Sequence, residues 1–313
     1  MMREVPELER VAVGVDFNST SIDASKWIAG HFAPGAELML VHVIQPPPVS
    51  PFLAKRFPAT EDLLETMRAS AEARLRELSP SIRSSRIRLD VRIGAPDEEL
   101  LRAAADFDAD VIALGRPETR ANGWGRIGTT AQRVLRHSHV PVLLVTGDPA
   151  GAPSRVLVAV DDSDLTDDVL SWGGSLAERF AADAVTLHVL SLSLFTGGSS
   201  LSDALVGGTP MSGGPMLPHE EAIHDAERWL SGRIDRVSLG KRMTPLVVSE
   251  FLRPADAILE QARGQRGTLI VMGSQGAGAA HRFLYGSAAE GVLTAAPCPV
   301  LVIVPGRARV SSS

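Results

Sequence analysis

Val11-Ala-Val-Gly-Val-Asp16 and Val156-Leu-Val-Ala-Val-Asp161 are one pattern written twice: an apolar run of strand length closed by an aspartate. The 145-residue separation of Asp16 from Asp161 recurs between Trp27 and Trp172, and it becomes 146 between His42 and His188. Further along, Pro96 and Pro254, Gly115 and Gly273, Gly128 and Gly286, and Pro141 and Pro299 all stand 158 residues apart. The chain is therefore an internal repeat. Its second copy carries 12 extra residues between His188 and Pro254. Gly197-Gly-Ser-Ser, Gly207-Gly208 and Ser212-Gly-Gly-Pro215 lie in that interval, and the stretch from Ser191 to Pro218 reads as a mobile loop.

Within each copy, short apolar runs alternate with amphipathic segments. In the second copy the runs are Arg155–Val160, Ala184–Leu190, Pro245–Glu250, Thr268–Met272 and Val300–Val304. They are rich in Val, Leu and Ile, as strands covered on both faces should be. Ile223, Ala226, Leu230, Ile234 and Val237 recur at helical spacing, as do Leu63, Leu64, Met67, Ala71, Leu75 and Leu78 in the first copy. Repeated β-α units imply a parallel sheet with right-handed crossovers. Five strands and four helices per copy predict an α/β fold of two tandem doubly wound, Rossmann-like, five-stranded parallel sheets. Pro149-Ala-Gly-Ala-Pro153 is the natural linker, which places one domain at residues 1–148 and the other at 154–306.

Composition narrows the function classes. The 313 residues suffice for two cores, and 44% hydrophobic with 22% charged residues is ordinary for a soluble globular chain. Lys plus Arg is 31 against 37 Asp plus Glu, a net charge of −6, and a nucleic-acid binder would need a basic face instead. The single cysteine, Cys298, excludes an intrachain disulfide and a multi-cysteine metal site and fits a reducing compartment. Arg3, Glu4, Glu7, Glu9 and Arg10 precede the first apolar run, so no signal peptide is expected. No apolar stretch approaches the ~18 residues of a membrane span. The expected location is cytoplasmic, without membrane insertion.

In open α/β sheets, ligands bind at the carboxyl ends of strands where the winding reverses. Asp161 follows the first strand of the second copy. Gly273 follows its fourth and opens Gly273-Ser-Gln-Gly276, nine residues, then Gly286-Ser287 and the helical pattern Ala288, Ala289, Val292, Leu293. Glycines let backbone N–H groups approach an anion without a Cβ in the way. A helix start at Gly286-Ser287 adds free N–H groups, a hydroxyl and the positive end of the dipole. Asp161 could accept hydrogen bonds from a ribose. The plainer alternative is that the glycines make turns and Ser287 caps the helix. The strand-four context together with an aspartate after strand one favours the ligand reading.

Gly273-x2-Gly276-x9-Gly286-Ser287 is similar to the ATP-binding signature of the universal stress protein family. Val158-Ala-Val-Asp161 and the ending Ala296-Pro-Cys-Pro-Val-Leu-Val302 also resemble that family, and the likeness spans both copies, as in a tandem member. The resemblance implies strand order 3-2-1-4-5 and an adenine nucleotide, ATP, in the crevice between strands one and four. It implies Ala159 and Asp161, with Val160 between them, against adenine and ribose. Val189 would flank the base, and Met272, Gly273, Gly276, Gly286, Ser287 and Ala288 would surround ribose and phosphates. It further implies that the last strands of the two copies pair as a pseudo-dimer within one chain, with a further homodimer left open.

The first copy departs from the signature. Its matching run is Gly115-Arg-Pro-Glu118, nine residues, then Gly128-Thr129. Glu118 stands where the second glycine belongs, and a carboxylate there opposes a triphosphate by charge and bulk. Arg116, Arg120 and Arg126 could soften that conflict. Asp16, Val43, Gly115, Gly128 and Thr129 are the first copy's weaker candidates.

Other chemistry-like patterns fail on context. Gly123-Trp-Gly125-Arg-Ile-Gly128 fits the dinucleotide fingerprint by letter but does not follow a first strand. His219-Glu-Glu-Ala-Ile-His224 is one residue too long for both histidines to share a helix face. His137 and His139 lack metal-ligand company. Asp161, Asp162, Asp164, Asp167 and Asp168 lack the glycine and terminal glutamate of an EF-hand. They read as helix N-terminal acids, and the other use open to one of them is holding Mg2+ on bound phosphates. Cys298 occupies the place of Val140, a packing position. Core packing is the default for His42, His188, Trp27 and Trp172. No catalytic residue and no protein-held metal is assigned. The expected function is an ATP-binding stress or signalling module, with nucleotide mainly in the second copy. The alternatives are a slow ATP hydrolase and a non-nucleotide adaptor regulating a partner such as a transporter.

Overall fold

The computed structural model describes residues 8–46, 60–84, 86–116, 127–146, 149, 151–191, 219–237, 243–250, 253–275 and 286–305. The first half runs β1 (Arg10–Gly14), α1 (Ser19–Trp27), β2 (Glu37–Ile44), α2 (Thr60–Leu78), β3 (Ile87–Ile93), α3 (Pro96–Asp106), β4 (Val111–Arg116), α4 (Thr129–His137) and β5 (Val142–Thr146). The second runs β6 (Arg155–Val160), α5 (Thr166–Phe180), β7 (Asp183–Ser191), α6 (His219–Val237), β8 (Thr244–Glu250), α7 (Pro254–Arg263), β9 (Thr268–Gly273), α8 (Ser287–Ala295) and β10 (Val300–Ile303). The alternation expected from the apolar runs is the one observed, with strand ends differing by a residue or two. The proposed loop at 191–218 lies outside the described residues beyond Ser191.

All ten strands form one sheet in the order β3-β2-β1-β4-β5-β10-β9-β6-β7-β8. Each half is thus wound 3-2-1-4-5 and parallel within itself. The expectation of two five-stranded sheets is sharpened to a single sheet with an antiparallel seam. There Leu144 faces Val300, Leu143 faces Leu301 and Val142 faces Val302. The physical reason is that β5 and β10 are apolar on both faces. Their facing residues are all fully buried, and each side chain so covered contributes about 1.5–3 kcal/mol. Left apart, the two strands would be long apolar edges exposed to pairing with other chains.

The helices cover the sheet in two layers, each continuous across the seam. One layer packs α1, α2, α5 and α6 over Val11, Val13, Leu38, Leu40, Val156 and Val158. In it Phe32 of the first half meets Phe180 of the second, with ring centroids 6.0 Å apart. The other layer packs α3, α4, α7 and α8 over Ala12, Val41, Leu157, Ala159, Ile270 and Met272. Ala71 and Leu75 of the α2 stripe are buried, as their spacing predicts, but Leu63 is exposed; the first fully buried residue of α2 is Ala71, while Leu64 and Met67 before it are only half-buried. Trp27 and Trp172 are core residues, and the Trp27 indole donates to Gly151 O at 2.7 Å, tying the interdomain connection to the first half. No helix among the described residues is long and apolar enough to cross a membrane.

Candidate functional site

The winding of the second half reverses between β6 and β9, which run side by side and pair Ala159 with Met272. Strand alternation turns both side chains to the α7/α8 layer, together with Leu187 and Ala289. Val189 packs against the same layer at its rim. Val160 does not join them: its side chain lies in the opposite layer, and its carbonyl accepts a hydrogen bond from His188 Nδ1 at 3.0 Å. Only its backbone borders the crevice, a correction that follows from the two-residue period of a strand. Asp161 follows directly. The turn after it is held by Thr166, whose hydroxyl donates to Asp161 O and accepts from Ser163 N at 3.2 Å.

At the end of β9 the chain passes through Gly273. A Cβ added there would meet Gln275 O and Leu165 Cδ1 at 3.4 Å, ordinary contact distances. Nothing in the packing of the described residues therefore requires this residue to be glycine. Gly276 lies outside the described residues. The chain returns at Gly286, whose N–H donates to Ser274 O at 3.2 Å, so both ends of the 276–285 segment are tied together. Gly286 is the N-cap of α8 with φ −59° and ψ 146° and supplies no side-chain cap. The first intrahelical bond is Glu290 N to Gly286 O at 3.0 Å. The N–H groups of Ser287, Ala288 and Ala289 thus have no acceptor within the helix and carry the positive end of its dipole.

The first half has the same frame with different contents. Gly128 caps α4 at φ −58° and ψ 146°, with Thr129 next, nearly reproducing Gly286-Ser287. Val43 lies on the same sheet face as its counterpart Val189. Asp16 is engaged locally: Asn18 donates to it through its backbone N–H at 3.2 Å and through its side-chain amide at 2.6 Å. Gly115, unlike Gly273, is demanded by packing, because a Cβ there would stand 2.7 Å from Thr20 O and 2.8 Å from Ser21 N of α1. Glu118, Arg120, Arg126 and the fingerprint-like residues 123–126 lie outside the described residues.

Arg116 overturns its expected role. It is fully buried and turned across the seam, away from any phosphate of its own half. Its Nε and Nη2 donate to Thr146 Oγ1 at 3.0 and 2.6 Å, and Nη1 donates to Thr294 O at 3.2 Å. Nη2 also donates to Ala296 O. The last two acceptors are the carbonyl end of α8, where the helix dipole favours a cation. Burial pulls the guanidinium down to about 10, still charged at neutral pH, against the opposing influence of Cys298. Burial also pushes the Cys298 thiol up to about 12, despite the nearby Arg116 charge. This is the packing role expected of Cys298. The sequence signal for the latch is a single arginine at a position where the other copy has Ser274, too slight to read alone.

The acidic cluster divides as well. Asp162 and Asp167 accept from Arg233 at 3.3 and 2.9 Å. His224 lies at the exposed start of α6, 3.3 Å from Glu227 Oε2. His42 mirrors His188, with Nδ1 2.7 Å from Val15 O.

The model of the "universal stress protein family" matches this chain twice, at residues 7–146 and 153–304. The chain belongs to that family. A universal stress protein of Mycolicibacterium smegmatis is 28% identical over 311 residues, covering 94% of this chain and 97% of that one. One from Mycobacterium tuberculosis is 25% identical over 302 residues, covering 93% and 96%. Among solved structures, a universal stress protein from Archaeoglobus fulgidus covers 95% of this chain and 98% of its own, with TM-score 0.67 and 21% identity, a likeness of fold. This universal stress protein therefore carries two family domains in tandem.

Proposed function

We propose that this universal stress protein is an ATP-binding stress or signalling module whose second half holds the nucleotide. The observation that carries the reading is the second-half crevice itself. Ala159 and Met272 are paired at adjacent strand ends, beside a helix whose first three N–H groups lack intrahelical acceptors and whose glycine entry is tied to Ser274. Among the described residues Gly273 has no packing reason to lack a Cβ, which accords with close backbone approach by a ligand. In this reading Ala159, Val189 and Met272 take the adenine and Asp161 takes the ribose. Gly273, Gly276, Gly286, Ser287 and Ala288 then surround ribose and phosphates. Any Mg2+ would be held chiefly by the phosphates and water, since Asp162 and Asp167 are engaged by Arg233. The first half is the weaker site, with Asp16 tied to Asn18 and Arg116 turned into the seam. A reducing, cytoplasmic setting fits its single thiol.

The test is to denature the purified protein and analyse what it releases, then titrate ATP by calorimetry. About one adenine nucleotide per chain, or saturable ATP binding abolished by Gly276→Glu, supports the proposal. No bound nucleotide and no ATP binding would leave the adaptor reading instead. A steady-state hydrolysis assay on the same samples separates a binder from a slow hydrolase.

A further inference from the structure

On the sheet face opposite the nucleotide crevice, along α2, the first half has an open surface pocket of about 420 Å3 lined by Phe17, His42, Gln45, Met67, Ser70 and Arg74, among others; Gln45, Ser70 and Arg74 form its exposed rim and Phe17, His42 and Met67 its half-buried floor. That size lies within the range of small-molecule sites. The two halves differ here in an informative way. Helices α2 and α6 are both 19 residues long. Aligned end to end, they place Ala71, Leu75 and Leu78 on Leu230, Ile234 and Val237, so their inner faces coincide. The same register places Ser70 on Trp229 and Arg74 on Arg233.

In the second half the Trp229 ring sits 4.9 Å from His188. Arg233 lies 5.7 Å over that ring and is paired with Asp162 and Asp167. In the first half a hydroxymethyl group, Ser70, replaces the indole. Phe17 and Ile22 stand where the two acids would be, by the 145-residue repeat. Arg74 is stacked on Phe17, 3.9 Å from the ring centroid, and among the described residues it makes no ion pair. Stacking covers the face of a guanidinium and leaves its in-plane N–H fork, the part that grips a carboxylate with two bonds. His42 lies 4.4 Å from Phe17. Its Nδ1 faces Val15 O, which can only accept, so Nδ1 carries the hydrogen and Nε2 of the neutral ring is an acceptor. Phe17 itself holds φ 63°, a left-handed backbone that a bulky residue rarely adopts.

We infer that this pocket is a ligand site separate from the nucleotide crevice and that it takes a small aryl carboxylate. Arg74 would grip the carboxylate, Met67 and Ala71 would pack on the ring, and His42 Nε2 would accept from a ring hydroxyl. A single cation, Arg74, suits a monoanion better than a phosphate dianion. The inference does not depend on ATP binding by the second half.

Salicylate is the probe, titrated into the full chain by calorimetry and by NMR of the His42 ring protons. The expected result is saturable binding with a Kd below about 1 mM, a shift of the His42 signals, and no displacement by ATP. Arg74→Gln should weaken binding about tenfold or more. Ser70→Trp, which copies the second half, should abolish it with the melting temperature retained. No saturable binding, unchanged affinity in either variant, or displacement by ATP overturns the inference. If Ser70→Trp does not fold, Arg74→Gln and the His42 shifts of the wild-type chain decide the matter.

Discussion

Arg116→Met tests whether a buried charge holds the two halves together. The side chain leaves three acceptors behind: Thr146 Oγ1, Thr294 O and Ala296 O. Hydrogen bonds from an ionised donor contribute about 1.5–3 kcal/mol each, so three acceptors amount to roughly 4–9 kcal/mol. Against this stands the burial of the guanidinium, which lowers it from 12.5 to about 10. At about 1.4 kcal/mol per unit that is a cost of roughly 3 kcal/mol. The substitution removes both, and methionine fills most of the space, so the expected net loss is about 1–6 kcal/mol. Urea unfolding should show a lower midpoint with an unchanged slope. Arg116→Lys should fall between, because an ammonium keeps the charge but cannot span the acceptors as a planar fork does. The opposite sign is physically available: buried ion pairs replaced by apolar residues of similar volume are often neutral or stabilising. A variant Arg116→Met as stable as the parent, or more so, would mean that desolvation outweighs the bonds and that the apolar seam alone joins the halves.

Thr186→Val should stabilise the protein by about 1 kcal/mol, read as a raised urea midpoint, because Thr186 Oγ1 is buried without a hydrogen-bond partner among the described residues and such a group is costly; the 146-residue repeat places fully buried Leu40 at the same point of the first half. For Cys298, the folded pKa of about 12 lies above its ordinary value near 9, so the folded chain keeps a proton that the unfolded chain loses. The stability this provides is complete below pH ~8.5 and is lost as pH rises through about 12, at up to about 1.4 kcal/mol per pH unit. At pH ~8, a disulfide reagent should label this half-buried thiol more slowly in the folded chain than in the unfolded one, because little of it is thiolate, and equal rates would contradict the argument.

The repeat, the strands and the doubly wound order were legible because buried parallel strands demand apolar runs and crossovers demand helical spacing. The position of Gly286 and Ser287 at a helix start was legible for a related reason, since a helix start fixes where a residue sits whatever its distant neighbours are, whereas Ala159 and Met272 entered through the family resemblance. The misses share a different cause. Val160 lies within the motif but is turned from the crevice by strand alternation. Gly115 and Gly273 occupy equivalent positions, yet only Gly115 is forced by the approach of Thr20 and Ser21, a contact between elements that spacing does not encode. Arg116 reads as a charge beside a degraded loop until the antiparallel seam brings the end of α8 to it.

That seam gives the inequality of the copies a physical form. At equivalent positions, Ser274 uses its backbone to close its own half: its N–H donates to Ile303 O at 2.8 Å and its carbonyl accepts from Gly286. Arg116 instead sends its side chain into the other half. The first half's strand end therefore serves the joint, and the second half's strand end serves the crevice. The two roles meet on α8, which starts beside the crevice at Ser287 and ends near the Arg116 guanidinium. Nine residues at 1.5 Å each span only about 13 Å. An anion at the amino end and a cation at the carbonyl end would oppose the helix dipole's two poles with charges of the right sign. A first half with serine in place of Arg116 could not supply the second of those charges. Duplication without divergence would thus leave both crevices equal and the carbonyl end of α8 without its buried cation.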